Sequence, residues 1–180
     1  MGQEKKLSLN IEKMAQALSA FAIDREDVKE LLAAVPAGAG LNMTTLEYEL
    51  QLLKILSVGW ALSFFMPSGD KNKGFLTQAF WENIREISGG ISSLTQTTTG
   101  KSIDYFEILK ARLDTYLNAM RENPETSQNP AVIMGPAFAS TCHCENNPAA
   151  ILTGTKMFTL TLGAVKEYLN SVTIDDIKLN

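Results

Sequence analysis

Residues 44–66 read TTLEYELQLLKILSVGWALSFFM, and the fold follows from what that stretch can be. Thr44 followed three residues later by Glu47 has the spacing of a capping box, in which each side chain satisfies a backbone amide at a helix start. Leu46, Leu50, Leu53, Trp60 and Phe64 then recur at helical spacing, and Leu52, Ile55, Leu56, Leu62 and Met66 fill the neighbouring stripes. Early in the stretch Glu47, Glu49, Gln51 and Lys54 leave a polar face. After Lys54 only Ser57 and Ser63 interrupt, and a serine can bond back to a carbonyl one turn earlier. A helix apolar on all sides lies either in a core or in a membrane. The run from Ile55 to Met66 falls well short of the ~20 apolar residues that a bilayer span needs. It therefore reads as the centre of a helical core, with Gly59 beside Trp60 offering a close approach to a neighbouring helix. Pro67, Ser68 and Gly69 stop it.

The rest of the chain supplies the wrapping. A first helix, capped by Ser8 or Asn10, runs to about Ala22. Asp24 caps a second, which Pro36 and the Ala37–Gly40 loop end. A fourth helix runs from about Gly74, with Leu76, Phe80, Ile84, Ile87, Ile91 and Leu94 in period; it is expected to end or kink at Gly89-Gly90, where each glycine costs about 1 kcal/mol. The tract SSLTQTTTGKS after it reads as a loop or a frayed end. Asp104 with Glu107 opens a fifth helix, with Ser102 the other candidate cap. Its buried stripe is Tyr105, Ile108, Leu109, Leu113, Tyr116, Leu117 and Met120, and Lys110, Arg112 and Asp114 form its wet side. Asn129-Pro130 starts a short helix that Gly135-Pro136 would end or offset, and Asn147-Pro148 starts the last helix, to about Leu169. No convincing period-2 strand appears, although the tail SVTIDDIKLN would suit a short strand or an extended arm. The expectation is an all-α, single-domain bundle of six or seven helices over residues 1–180, with termini 1–7 and 171–180 extended or flexible.

Composition narrows the function classes. The chain has 180 residues, 45% of them hydrophobic and 20% charged, which is ordinary for one globular domain. A net charge of -4, with no cluster of basic residues beyond Lys5-Lys6, argues against nucleic acid. The opening MGQEKKLSLN has no apolar segment of the secretory kind, and Lys6 breaks the myristoylation pattern that begins at Gly2. Two cysteines one residue apart make no disulfide framework. A cytoplasmic protein without membrane insertion is expected.

Four features carry candidate chemistry. Cys142, His143 and Cys144, followed by Glu145, hold both cysteines and the single histidine. Thiolate and imidazole are ligands that zinc and other soft metals prefer. An extended segment aims Cys142 and Cys144 one way and His143 the other, so one chain offers a two-thiolate chelate and a closed site needs a second copy. A redox pair, with His143 lowering a thiol pKa, is the related reading; buried apolar cysteines beside a surface histidine are the plain one. Gly100-Lys101-Ser102 resembles the end of a phosphate loop, but Thr95 stands where the loop needs glycine and no strand precedes it. The carboxylates Glu47, Glu49, Asp24, Glu26, Asp27, Asp175 and Asp176 read as caps and solvated faces, since no Glu-x-x-His pair exists. Finally, Trp60, Phe64, Phe80 and Trp81, with Phe65, would line an apolar pocket between helices if they are not simply core.

With no catalytic constellation, the leading expectation is a non-enzymatic helical interaction or scaffold module with a protein partner or self-association. The alternative is a thiol-based metal or redox protein using Cys142, His143 and Cys144. The third is a helical binder of an apolar small molecule. No cofactor is indicated beyond zinc or another soft metal at the cysteines.

Overall fold

The computed structural model describes residues 7–126 and 128–174. Among these are seven α-helices: α1 (Ile11–Ile23), α2 (Glu26–Ala33), α3 (Met43–Phe65), α4 (Lys71–Thr99), α5 (Tyr105–Glu122), α6 (Ala131–Thr141) and α7 (Pro148–Ser171). Two short strands, β1 (Leu7–Leu9) and β2 (Val172–Ile174), pair in parallel, with Leu7 opposite Val172. The architecture is the all-α one expected.

Helix α3 is its axis. Every residue from Leu52 to Gly59 is buried, and α3 touches each of the other six helices. Ser57 donates its hydroxyl to the Leu53 carbonyl at 2.7 Å, which makes a polar side chain acceptable inside. A Cβ on Gly59 would overlap the Trp81 indole of α4, so this glycine sets how closely α3 and α4 approach. The α6–α7 hairpin uses the same device twice. A Cβ on Gly135 would lie 2.7 Å from the Ile151 carbonyl oxygen, and one on Gly154 would lie 2.5 Å from the Phe138 ring.

Several local expectations need correction. The cap of α3 is Asn42, whose side chain accepts from the Thr45 amide at 3.0 Å; Thr44 is already helical and Glu47 pairs with Arg25 instead. The polar face of α3 is not a solvent face, because Glu49 and Lys54 are both buried. At the other end Phe64 is 59% exposed, so the apolar run is not wrapped to its last turn.

Helix α4 begins at Lys71, capped by Asp70, and runs through Gly89-Gly90. What carries it past the glycines is Ser92. Its hydroxyl donates to the Ser88 carbonyl and accepts the Tyr105 amide, one of the orphan donors that begin α5. The following Thr95, Thr97, Thr98 and Thr99 hydroxyls return to carbonyls one turn back at 2.7–2.9 Å. The tract expected as a loop or a frayed end is thus helix as far as Thr99, closed by Gly100 at φ 70°. Helix α6 likewise continues through Pro136: both Pro136 and Val132, whose carbonyl lost its partner, lie on the exposed side. Asn129 does not cap it, whereas Asn10, Asp104 and Asn147 cap α1, α5 and α7. Strand β2 falls within the tail expected as a short strand or extended arm, whereas its partner β1 is unexpected, since a strand this short has no period to read.

Candidate functional site: a buried polar cluster beside the cysteines

Helix α6 ends at Thr141, and the three residues after it are the Cys-His-Cys sequence. Their geometry is that of a helix stop. His143 takes φ 55°, its amide donates to the Ser140 carbonyl at 3.0 Å, and the Cys144 amide reaches back to the Ala139 carbonyl at 3.0 Å. This is the Schellman arrangement, with histidine in the left-handed position that glycine or asparagine normally fills. The Cys144 thiol adds a 3.4 Å contact to the same Ala139 carbonyl. Asn146 is left-handed as well, and the Asn147 amide group ties the loop to the Ala39 carbonyl at 2.9 Å.

His143 therefore stands exposed, turned from its neighbours by the backbone, while Cys142 is buried. Among the described residues no group of three His, Cys, Asp or Glu side chains could hold a metal ion. The left-handed geometry carries its own test. A side chain there costs ~1–2 kcal/mol, and glycine returns part of that gain to the unfolded chain. His143→Gly is expected to raise unfolding stability by roughly 0.5–1 kcal/mol in a denaturant titration; a loss would mean the imidazole makes contacts that outweigh the backbone strain.

Burial pushes the Cys142 thiol up to about 12, helped by the neighbouring Cys144 and the Glu49 charge. Cys144 is also raised, first by burial. Both are protonated thiols near neutrality, the opposite of the depressed pKa that a reactive cysteine needs. The effect on stability has a definite sign. Folded Cys142 holds its proton more tightly than the unfolded thiol, so its contribution is complete below pH 9 and is lost as pH rises toward 12. One such group gives a slope of about 1.4 kcal/mol per pH unit. Tyr105, raised by burial from 10 to about 12, steepens the fall above pH 10. Denaturation midpoints measured from pH 8 to 11 are expected to drop, and Cys142→Ala to flatten the part between 9 and 10.

Cys142 does not sit alone. Across from it, on α3 and α5, Glu49 and Arg112 form a two-pronged ion pair: Arg112 Nε and Nη2 donate to the two carboxylate oxygens at 2.7 and 2.6 Å. Glu49 is 3% exposed and Arg112 29%. That bond is the main reason the Arg112 guanidinium is raised above its ordinary value. Tyr116, one turn along α5, is buried, which raises its phenol; its hydroxyl lies beside Thr141 without a well-aligned hydrogen bond. Thr141 itself donates to the Phe138 carbonyl at 2.7 Å. Glu49, Arg112, Tyr116, Thr141 and Cys142 thus form one polar seam joining α3, α5 and α6. The seam can lock three helices in register.

No protein-family model, curated protein or solved structure matches this chain.

The other expected features are placed as follows. Trp60 meets Phe158 edge to face at 6.5 Å and borders a void of about 10 Å³, near the minimum that holds one water. Phe80 is completely buried and packs on Trp81 at 5.1 Å, while Phe64 turns outward onto Phe65. Trp60, Phe64, Phe80 and Trp81 share no pocket among the described residues. Gly100 ends a helix and Lys101 follows it with its amide on the Thr99 hydroxyl at 3.3 Å, so no phosphate cradle forms. The cap of α2 is Arg25, whose side chain makes no capping bond, and not the expected Asp24, which stands one position earlier and accepts from the Glu26 amide at 2.9 Å. Glu49 and Asp27 depart from the solvated role: the first meets Arg112 and the second meets buried Lys54 at 2.7 Å. Asp175 and Asp176 lie outside the described residues.

The seam residue Arg112 and the separately paired Lys54 each stand at a core position of their helix. Arg112 falls between Leu109 and Tyr116 on the core stripe of α5, and Lys54 falls where α3 has no outward side.

Proposed function

We propose that this chain is a non-enzymatic helical interaction module that self-associates through the corner between α3 and α4. One observation carries the reading. After Lys54 only Ser57 and Ser63 interrupt the apolar run of α3, yet a large side chain of its last turn is left uncovered: Phe64 is 59% exposed. Phe75, in the first turns of α4, is 58% exposed. Lys73 holds those two helix ends together, donating to the Ser63 and Met66 carbonyls at 2.6 and 2.9 Å. Both exposed phenylalanines belong to helix ends that Lys73 braces, and an aromatic side chain brings ~150–250 Å² to a contact at little entropic cost. Surfaces of this kind mark contact sites more often than isolated exposed leucines do. No helix among the described residues is long and apolar enough to cross a membrane.

Sedimentation equilibrium tests this. The wild-type chain is expected to associate, and Phe64→Glu to shift it to monomer while its melting temperature changes little, because the side chain contributes little to its own core. A wild-type chain that stays monomeric at every accessible concentration contradicts the proposal.

A further inference from the structure

The turn that ends α6 brings both of the chain's thiols together. Between them His143, left-handed at φ 55°, reverses the backbone and is itself exposed. The Cys144 amide and the Cys144 thiol both return to the Ala139 carbonyl, at 3.0 and 3.4 Å, which lays this side chain over the last turn of the helix. The Cys142 thiol meets it there as a hydrogen-bonding neighbour. Cys142 is 9% exposed and Cys144 is only partly buried, so the pair has one open side.

Ligand number and charge limit what such a pair can hold. A zinc site wants three or four protein ligands. Here the Glu145 carboxylate takes the Ser140 hydroxyl at 3.3 Å, and no third His, Cys, Asp or Glu joins the sulfurs in a metal-holding group among the described residues. A soft monovalent cation such as Cu(I) accepts two thiolates, but two thiolates and one positive charge leave a net negative charge in place. Burial and the Glu49 charge both oppose negative charge at Cys142, and a charge taken from water without a partner is costly. A neutral product suits the pair better. We propose that Cys142 and Cys144 form a dithiol site for a trivalent arsenical that carries one organic substituent. Its arsonous acid form condenses with both thiols: two S–H and two As–O bonds break, two As–S bonds form, and the thiol protons leave with the hydroxyl groups as two waters. Arsenic stays trivalent, and reactants and product are all neutral. This site is separate from the Phe64 corner and stands or falls independently of it.

Phenylarsine oxide is the probe, titrated into the full folded chain and followed by intact mass. One equivalent per chain is expected, seen as one phenylarsenic unit in place of two hydrogen atoms. It should survive excess mercaptoethanol and be released by dithiothreitol. Cys142→Ser and Cys144→Ser should each weaken uptake about 100-fold, within the range that joining two contacts adds to either alone. Cys144→Ser, at the more exposed position, carries this arm if Cys142→Ser fails to fold. His143→Gly, which keeps the left-handed turn, should take up the probe as the wild type does. Uptake only in denaturant, no uptake, wild-type affinity in a folded single-cysteine variant, or loss of uptake in His143→Gly would each overturn the assignment.

Discussion

Arg112→Ala is expected to cost about 3–5 kcal/mol, the range for removing one partner of a buried ion pair. The reason lies in the partner left behind. Glu49 is 3% exposed, so once the guanidinium is gone its carboxylate keeps neither water nor the two charge-assisted hydrogen bonds. The reverse substitution should be milder. Glu49→Ala strands a guanidinium that is 29% exposed and can turn toward solvent. Replacing both, as Glu49→Leu with Arg112→Leu, should recover most of the loss, because a buried pair exchanged for apolar side chains is often nearly neutral. The order expected from urea midpoints is therefore Arg112→Ala least stable, then Glu49→Ala, then the double variant. Against a typical total of 5–15 kcal/mol, the first would leave a marginal fold. If the two single variants cost the same small amount, the pair behaves as a surface contact and the seam does not lock the helices.

Lys54→Ala should be comparably damaging, for a different reason. Lys54 is fully buried; its ammonium meets Asp27 at 2.7 Å and the Asp24 carbonyl at 3.0 Å, and lies 4.4 Å from the centre of the Phe21 ring. Its acidic partners keep considerable solvent access, with Asp24 52% and Asp27 37% exposed, so water can replace the lost charge. What water cannot replace is the four-carbon stem inside the core. Large-to-small changes at such sites cost about 2–5 kcal/mol. Lys54→Met keeps the stem and loses only the charge-assisted bonds, a loss of roughly 1.5–3 kcal/mol. Equal effects of the two variants would place the energy in the charge and not in the packing.

These residues also show what the sequence disclosed and what it hid. The all-α architecture and the central place of α3 were legible because apolar periodicity over a long helix is a strong local signal. Caps built from one Asn or Asp were legible at Asn10, Asp104 and Asn147, where the side chain bonds an amide two or three residues on. Thr44 misled because Asn42, two residues earlier, offers the same chemistry and wins the amide of Thr45. Gly89-Gly90 misled because propensity is local, while the Ser92 bridge to Tyr105 is a tertiary contact. The charged pairs were hidden for a related reason. Glu49 and Arg112 are 63 residues apart, and nothing in either helix alone says that the other will cover it. The Cys-His-Cys sequence drew notice by its chemistry, yet its conformation is set by the need to end α6, with His143 at the left-handed turn.

The proposition beneath all of this is that α3 is enclosed by its own chain through its middle turns. Native-state hydrogen exchange of the amides from Leu52 to Leu62 tests it most directly. The account predicts that these amides exchange only through global unfolding, with protection equal to the full unfolding free energy. Exchange of that segment through low-energy local openings, while the surrounding helices stay protected, would contradict it.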